Sequence, residues 1–204
     1  TGSIGLVGVV RKLELLDTVN DLSAVELQPL SEQESLDFMQ RLSRDNGFSL
    51  SYRVKYHILK LIGSAWPYFL QIFLSEIRHW MRQNNSPISL KDINEIYHTR
   101  MISGTKNKYL PHMYERLAKI LNVEELKLAR QILKQCTKHP KGLNRDDLTC
   151  IQYHMIKDPI QRSKEPIHDV LEVLKHDGYL RQDNQGGQRT CFFSNMLRDY
   201  WERR

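Results

Sequence analysis

In Ile167-His168-Asp169-Val170-Leu171-Glu172-Val173-Leu174-Lys175-His176-Asp177-Gly178-Tyr179-Leu180-Arg181-Gln182 the apolar residues begin at helical spacing and end in a strand-like run. Ile167, Val170, Leu171 and Leu174 share one face of a helix predicted over 166–177. Beyond Gly178, Tyr179–Gln182 and Arg189–Phe193 read as strands flanking Asn184-Gln185-Gly186-Gly187, where paired glycines supply the positive φ that a tight hairpin needs. Upstream, helices are predicted near 145–156 (Leu148, Ile151, Met155) and 124–138 (Leu126, Ala129, Ile132, Leu133). Three helices followed by a β-hairpin make a winged helix, and a short helix over 195–202 closes the chain.

Before residue 122 the pattern is that of a helical bundle. Ser31 with Glu34 forms a capping-box signature, so a helix begins near Glu32 with Leu36, Met39 and Leu42 inward and Asn46-Gly47 as its stop. A second helix opens at Ser51 and carries Val54, Ile58, Leu61 and Ile62 up to Gly63. Pro67 suits the first turn of a third, whose stripe is Phe69, Leu70, Phe73, Leu74, Ile77 and Met81. Ser89 with Asp92 caps a fourth, holding Ile93, Ile96, Tyr97 and Met101, and another runs from about Lys108 to Leu121. Val25–Leu30 alternates like a short strand, and Leu6–Leu16 has helical spacing. The expected division is therefore residues 1–23, a bundle over 24–121 and a winged helix over 123–204, with the boundary at Asn122-Val123.

The 204 residues carry a net charge of +6, and residues 1–123 and 124–204 each hold half of the excess, so no basic arm concentrates phosphate contacts. No apolar run approaches the roughly 20 residues that span a bilayer. Membrane partners are therefore not expected. Three cysteines without a C-x-x-C pair fit neither a disulfide framework nor a zinc knuckle, and a cytoplasmic location is expected. The chain contains no G-x-x-x-x-G-K-[ST] phosphate loop, no H-x-x-x-H pair and no G-x-S-x-G elbow. Catalytic and metal-binding residues are accordingly not assigned, and the chain alone is not expected to hydrolyse ATP.

For DNA, the third helix of the winged-helix pattern carries Glu165, Asp169 and Glu172 between Lys164 and Lys175, a poor charge balance for a groove lined with phosphates. Lys157, Arg162, Arg181 and Arg189 are the candidates for phosphate-backbone contacts from the flanks and the wing, so weak non-specific DNA binding is the most expected of this region.

Taken in order, Thr1-Gly2-Ser3-Ile4-Gly5-Leu6, the Val25–Leu30 segment with its Pro-Leu-Ser turn, Gly63-Ser64-Ala65-Trp66-Pro67-Tyr68-Phe69-Leu70-Gln71, His176–Leu180 and Leu197-Arg198-Asp199-Tyr200-Trp201 resemble the C-terminal portion of prokaryotic AAA+ ATPases of the STAND and origin-recognition-like group. The resemblance spans nearly the whole chain. It implies a mainly α fold, with an AAA+ lid-type bundle followed by a winged-helix domain with a hairpin wing, and residues 1–23 as the remnant of a nucleotide-binding core. It also implies that the chain is a fragment whose missing N-terminal part carries the Walker motifs and, in the complete protein, ATP and Mg. Ser3, or alternatively Thr1, then takes the place of the sensor 1 polar residue. Gly63 and Pro67 take that of the sensor 2 turn, with three residues between them instead of the family's one.

The function implied is the nucleotide-sensing lid and winged-helix output half of an ATP-driven switch. Its partners are the missing ATPase core and a protein, or a second copy, met through the winged helix. The alternative is a winged-helix transcription regulator whose bundle senses a ligand or dimerises.

Overall fold

The computed structural model describes residues 28–103, 110–163, 166–183 and 188–204. Ser3, Thr1, the 1–23 segment, the Leu6–Leu16 helix and the glycine pair of the hairpin lie outside them. The fold is mainly α with a two-stranded antiparallel hairpin. Two compact units divide between Leu110 and Pro111, and Ser194–Met196 group with the first.

In the first unit, α1 (Glu32–Asp45) opens on the expected capping box, with Ser31 Oγ accepting from Glu34 N at 3.3 Å and Glu34 Oε2 accepting from Ser31 N at 2.8 Å. Two orphan donors are thereby satisfied at once. α2 (Tyr52–Ile62) is capped by Ser51 and ends at Gly63, and α3 (Pro67–Asn84) starts at Pro67, whose missing N–H costs nothing in a first turn. The core lies between their stripes: Met39, Ile58, Ile62, Leu70, Phe73 and Ile77 are inaccessible to solvent. Leu42, Leu61 and Met81 sit at its edge, half-buried.

α4 (Leu90–Ile96) begins at the Ser89–Asp92 box but does not run on as an α-helix to Met101. Residues Tyr97–Ile102 form a π-helical turn. Ile96 and Met101, like Tyr97 and Ile102, are five residues apart and all buried, which the wider i→i+5 turn accommodates. The strand expected at Val25–Leu30 is absent from its described end. Pro29 has no N–H to give, and Leu30 makes a single backbone bond, N–H to Ala65 O at 3.0 Å.

The second unit contains α5 (Leu110–Ile120) from Pro111 onward, α6 (Val123–Lys138), α7 (Arg145–Met155), α8 (Pro159–Ser163), α9 (Pro166–His176), β1 (Leu180–Asp183), β2 (Arg189–Phe192) and α10 (Asn195–Glu202) from Leu197 onward. The division expected at Asn122-Val123 thus falls earlier, because α5 packs with the C-terminal elements of the chain. Tyr179 Oη donates to Met113 O, Arg116 faces Asp177 at 3.3 Å, and the Tyr114 ring lies 5.0 Å from that of Trp201.

α9 ends as its sequence requires. Gly178, at φ +73°, donates to Lys175 O at 3.0 Å and Tyr179 N donates to Leu174 O at 2.9 Å, a Schellman stop that leads straight into β1. The hairpin pairs Leu180 with Phe192, Arg181 with Cys191, Gln182 with Thr190 and Asp183 with Arg189. β2 is paired on its other side too, since Leu143 and Thr190 exchange both N–H···O bonds at 2.8 Å. This approach needs Gly142: a Cβ there would stand 2.8 Å from Thr190 O.

Candidate functional site

The Gly63–Pro67 turn owes its shape to two helix ends. Gly63 (φ +82°) donates to Leu59 O at 2.9 Å and stops α2, while Ser64 and Ala65 are buried and Pro67 begins α3. Glycine is required at 63 for a second reason. A Cβ there would meet Asn195 Cγ at 2.8 Å and Asn195 N at 2.9 Å, and Asn195 Nδ2 donates to Lys60 O at 3.1 Å. The space that a phosphate cradle would leave open beside Gly63 is therefore filled by a protein side chain. Gly63 and Pro67 do not by themselves fit a nucleotide phosphate, and Ser3 is not among the described residues.

The four cations expected to touch phosphates fall into two pairs. Lys157 and Arg162 are brought together on the segment joining α7 to α9, where Arg162 Nη2 donates to Lys157 O at 3.3 Å and the guanidinium lies 4.3 Å over the Tyr153 ring. Arg181 and Arg189 share one face of the hairpin with Asp183 between them, as the register dictates. Arg181 is exposed, whereas Arg189 is half-buried and gives Nη1 to Gly142 O at 3.2 Å. On α9, Glu172 is exposed and paired with Lys175 at 3.2 Å, and Asp169 is half-buried. Glu165 is outside the described residues.

Sequence reasoning did not find the surface at 153–162. Met155, expected inward, is 39% exposed, and Tyr153 and Ile160 are 66% and 71% exposed. Ile151 is the last inward residue of α7. Met155 continues the Leu148–Ile151 face by spacing, so periodicity carried no signal of its exposure, whereas Tyr153, two residues beyond Ile151, falls off that face.

The titratable groups of this unit divide by burial. Burial, and then the neighbouring Cys191, pushes the Cys136 thiol up to about 12, and burial also raises Cys191. Cys150 is exposed, with Sγ 3.5 Å from His154 Nδ1. Burial holds the Asp177 carboxyl above the ordinary carboxylate range, with Arg116 and then His176 pulling it down, and burial likewise raises Tyr179. Asp177 and Arg116 form an ion pair without a hydrogen bond between the facing atoms. Among the described residues no group of three or more His, Cys, Asp and Glu is placed to hold a metal ion, and no helix is long and apolar enough to cross a membrane.

Compared with known proteins, the chain matches no family model, and no curated protein and no solved structure is significantly similar to it.

Proposed function

We propose that this chain is the lid and output half of an AAA+-type molecular switch, with the first unit as lid, the second as winged helix, and the border moved to Leu110. The observation that carries the reading is the order α6, the Leu143 bridge, α7, α9, β1, β2, with Thr190 paired on both sides. Three of its helices, α6, α7 and α9, with the short α8 between the last two, precede the hairpin, α5 and α10 flank them, and the unit follows in sequence a bundle that contains the Gly63–Pro67 turn. ATP with Mg, held by a nucleotide-binding core outside this chain, would supply the free energy of the switch. Because Asn195 backs Gly63, no chemical step is assigned to the turn. Its part is mechanical, fixing the angle at which α2 hands over to α3. The output is contact with a protein rather than with DNA. Glu172 neutralises Lys175 on α9, Asp183 lies between Arg181 and Arg189, and Arg189 is tied to Gly142.

The test extends the chain with the residues encoded upstream in its gene and titrates ATP by calorimetry against the extended and the present chain. Binding by the extended chain alone is expected. An extended chain that binds no nucleotide, or one enriched sequence recovered at physiological salt from random duplexes by the present chain, overturns the reading, the second in favour of a transcription regulator.

A further inference from the structure

We propose that the outer face of α2, formed by Tyr52, Arg53, Tyr56 and Lys60, docks an acidic helix of a partner protein. The proposal concerns the first unit and does not rest on the reading of the two units as lid and winged helix.

Contacts along the helix put these side chains on one face. Tyr52, Tyr56 and Lys60 follow one another at four-residue steps and meet in turn. The rings of Tyr52 and Tyr56 are stacked, with 6.1 Å between centroids and 11° between planes, and Lys60 Nζ lies 4.7 Å over the Tyr56 ring. Two residues further along, the parallel row Val54, Ile58 and Ile62 is buried, so the tyrosine row is on the side of α2 away from the core. Arg53, seven residues before Lys60, falls beside it at helical spacing. Tyr52 is 62% exposed, and Arg53 and Lys60 are exposed as well. A stacked ring and a lysine already seated on its neighbour lose little freedom when a partner covers them. Tyr and Arg are moreover the residue types enriched at the centres of protein interfaces.

Charge selects the partner. α2 contains three Lys and Arg residues and no carboxylate. Lys55 is buried and donates to Gln40 Oε1 at 2.9 Å, which leaves Arg53 and Lys60 facing outward, and among the described residues neither forms an ion pair with a carboxylate. Tyr52, Tyr56 and Lys60 thus make an i±4 ridge bordered by cations. Such a ridge packs into the matching groove of a second helix, and its charges call for Glu or Asp along the rims of that groove. A single-stranded nucleic acid fits less well. It stacks successive bases on open aromatic faces, but Tyr56 is half-buried and already engaged by Tyr52 and Lys60, so Tyr52 alone is open.

The test measures fluorescence anisotropy on the full 204-residue chain with a labelled synthetic Leu/Glu peptide designed as a helix, its leucines on one face. The same peptide with Lys in place of every Glu, and an oligothymidylate, serve as comparison probes. Saturable binding of the Leu/Glu peptide alone is expected, weakened roughly tenfold or more by Tyr52→Ala. Arg53→Glu and Lys60→Glu should each weaken it and reduce its salt dependence. Lys134→Glu makes the same change of charge at an exposed position of α6, in the second unit, and is expected to leave binding unchanged. The proposal is overturned by the absence of binding, by equal binding of the two peptides, or by indifference to Tyr52→Ala and Arg53→Glu in chains whose circular dichroism is intact. Tighter, Tyr52-dependent binding of the oligothymidylate overturns it in favour of nucleic acid. Sedimentation showing self-association abolished by Tyr52→Ala, without peptide binding, overturns it in favour of a second copy.

Discussion

Gly142→Ala should loosen the hairpin unit far more than the chemically identical change Gly178→Ala. Both glycines have positive φ, +86° and +73°, so both substitutions force a Cβ into a left-handed backbone at a cost of roughly 1–2 kcal/mol. Both also stiffen the unfolded chain, which returns about 0.4–1 kcal/mol. Here the likeness ends. Around Gly178 nothing lies within 4 Å of the added carbon, whereas at Gly142 it would stand 2.8 Å from Thr190 O and 3.1 Å from Cys191 Cβ. Thr190 O cannot move aside without lengthening its bond to Leu143 N. Overpacking of this kind costs about 1–3 kcal/mol. The net expectation is about 1 kcal/mol or less for Gly178→Ala and about 2–4 kcal/mol for Gly142→Ala. The buried thiols report it directly, because Cys136 Sγ lies 3.7 Å from Thr190 O and Cys191 is on β2. In a Cys150→Ser background, which removes the exposed thiol, Cys136 and Cys191 should react with a thiol reagent only through opening of this unit. The rate in the Gly142 variant should then exceed that in the Gly178 variant by roughly tenfold to a hundredfold. Equal rates would refute the claim that the Leu143–Thr190 pairing holds the hairpin to the helices.

Tyr179→Phe deletes the hydroxyl that donates to Met113 O, but that carbonyl keeps its bond within α5, so urea denaturation should show a loss of only about 0.5–1.5 kcal/mol. Tyr179→Ala, which also removes the edge-on contact with Trp201 at 5.9 Å, should cost about 3–5 kcal/mol, and equal losses in the two variants would contradict this assignment. Asp177 sits above its ordinary value in the folded chain, so between that value and the raised one the folded state holds more protons than the unfolded state and stability falls as pH rises. Denaturation midpoints of Asp177→Asn should lack this decline, and a slope unchanged by the substitution would remove Asp177 from the account. Ser89→Ala should cost about 0.5–2 kcal/mol. Ser89 holds Asp92 below its ordinary value, a contribution present above that ordinary value and lost as pH falls through the lowered one, so the deficit of the variant should shrink in acid.

What the sequence disclosed depended on how local the deciding contact was. The helix starts at Ser31 and Ser89 were legible because a cap and its reciprocal acid lie three residues apart. Asn122 with Glu125 and Asn144 with Asp147 build the same device on asparagine, with a signature just as local. The place of α5 was not legible. Its apolar face stops and restarts in the same way whichever unit it joins, and the contact that decides it, Tyr179 to Met113, spans 66 residues. Gly63 and Pro67 could be read as helix stop and start, but Asn195 beside Gly63 comes from the far end of the chain. The cations were visible as charges and misleading as contacts, since periodicity does not tell that Arg162 turns onto Tyr153 or Arg189 onto Gly142.

Those engagements limit what the four expected cations can contribute to holding DNA, and the limit is measurable. If all four expected cations reached phosphates, the logarithm of affinity would fall against that of salt with a slope of about −3.6, a loss of roughly 150-fold between about 50 and 200 mM. Arg162 is committed to the Tyr153 ring and the Lys157 carbonyl, and Arg189 to the Gly142 carbonyl. Lys157 and Arg181 are the two that remain exposed, Arg181 held only by the Cys191 side chain opposite it. Two contacts give a slope of about −1.8 and a loss of only about 12-fold, from an affinity that two phosphate contacts keep weak at any salt. Random duplex DNA titrated by anisotropy should therefore show a slope of about −2. Lys157→Ala and Arg181→Ala should each flatten it by about 1, and Arg189→Ala should leave it unchanged. A slope steeper than about −3.6 would mean that the cations of the hairpin and of the α7–α9 segment act as one phosphate-binding face, and the reading of this unit as a protein-contact module would then have to be given up.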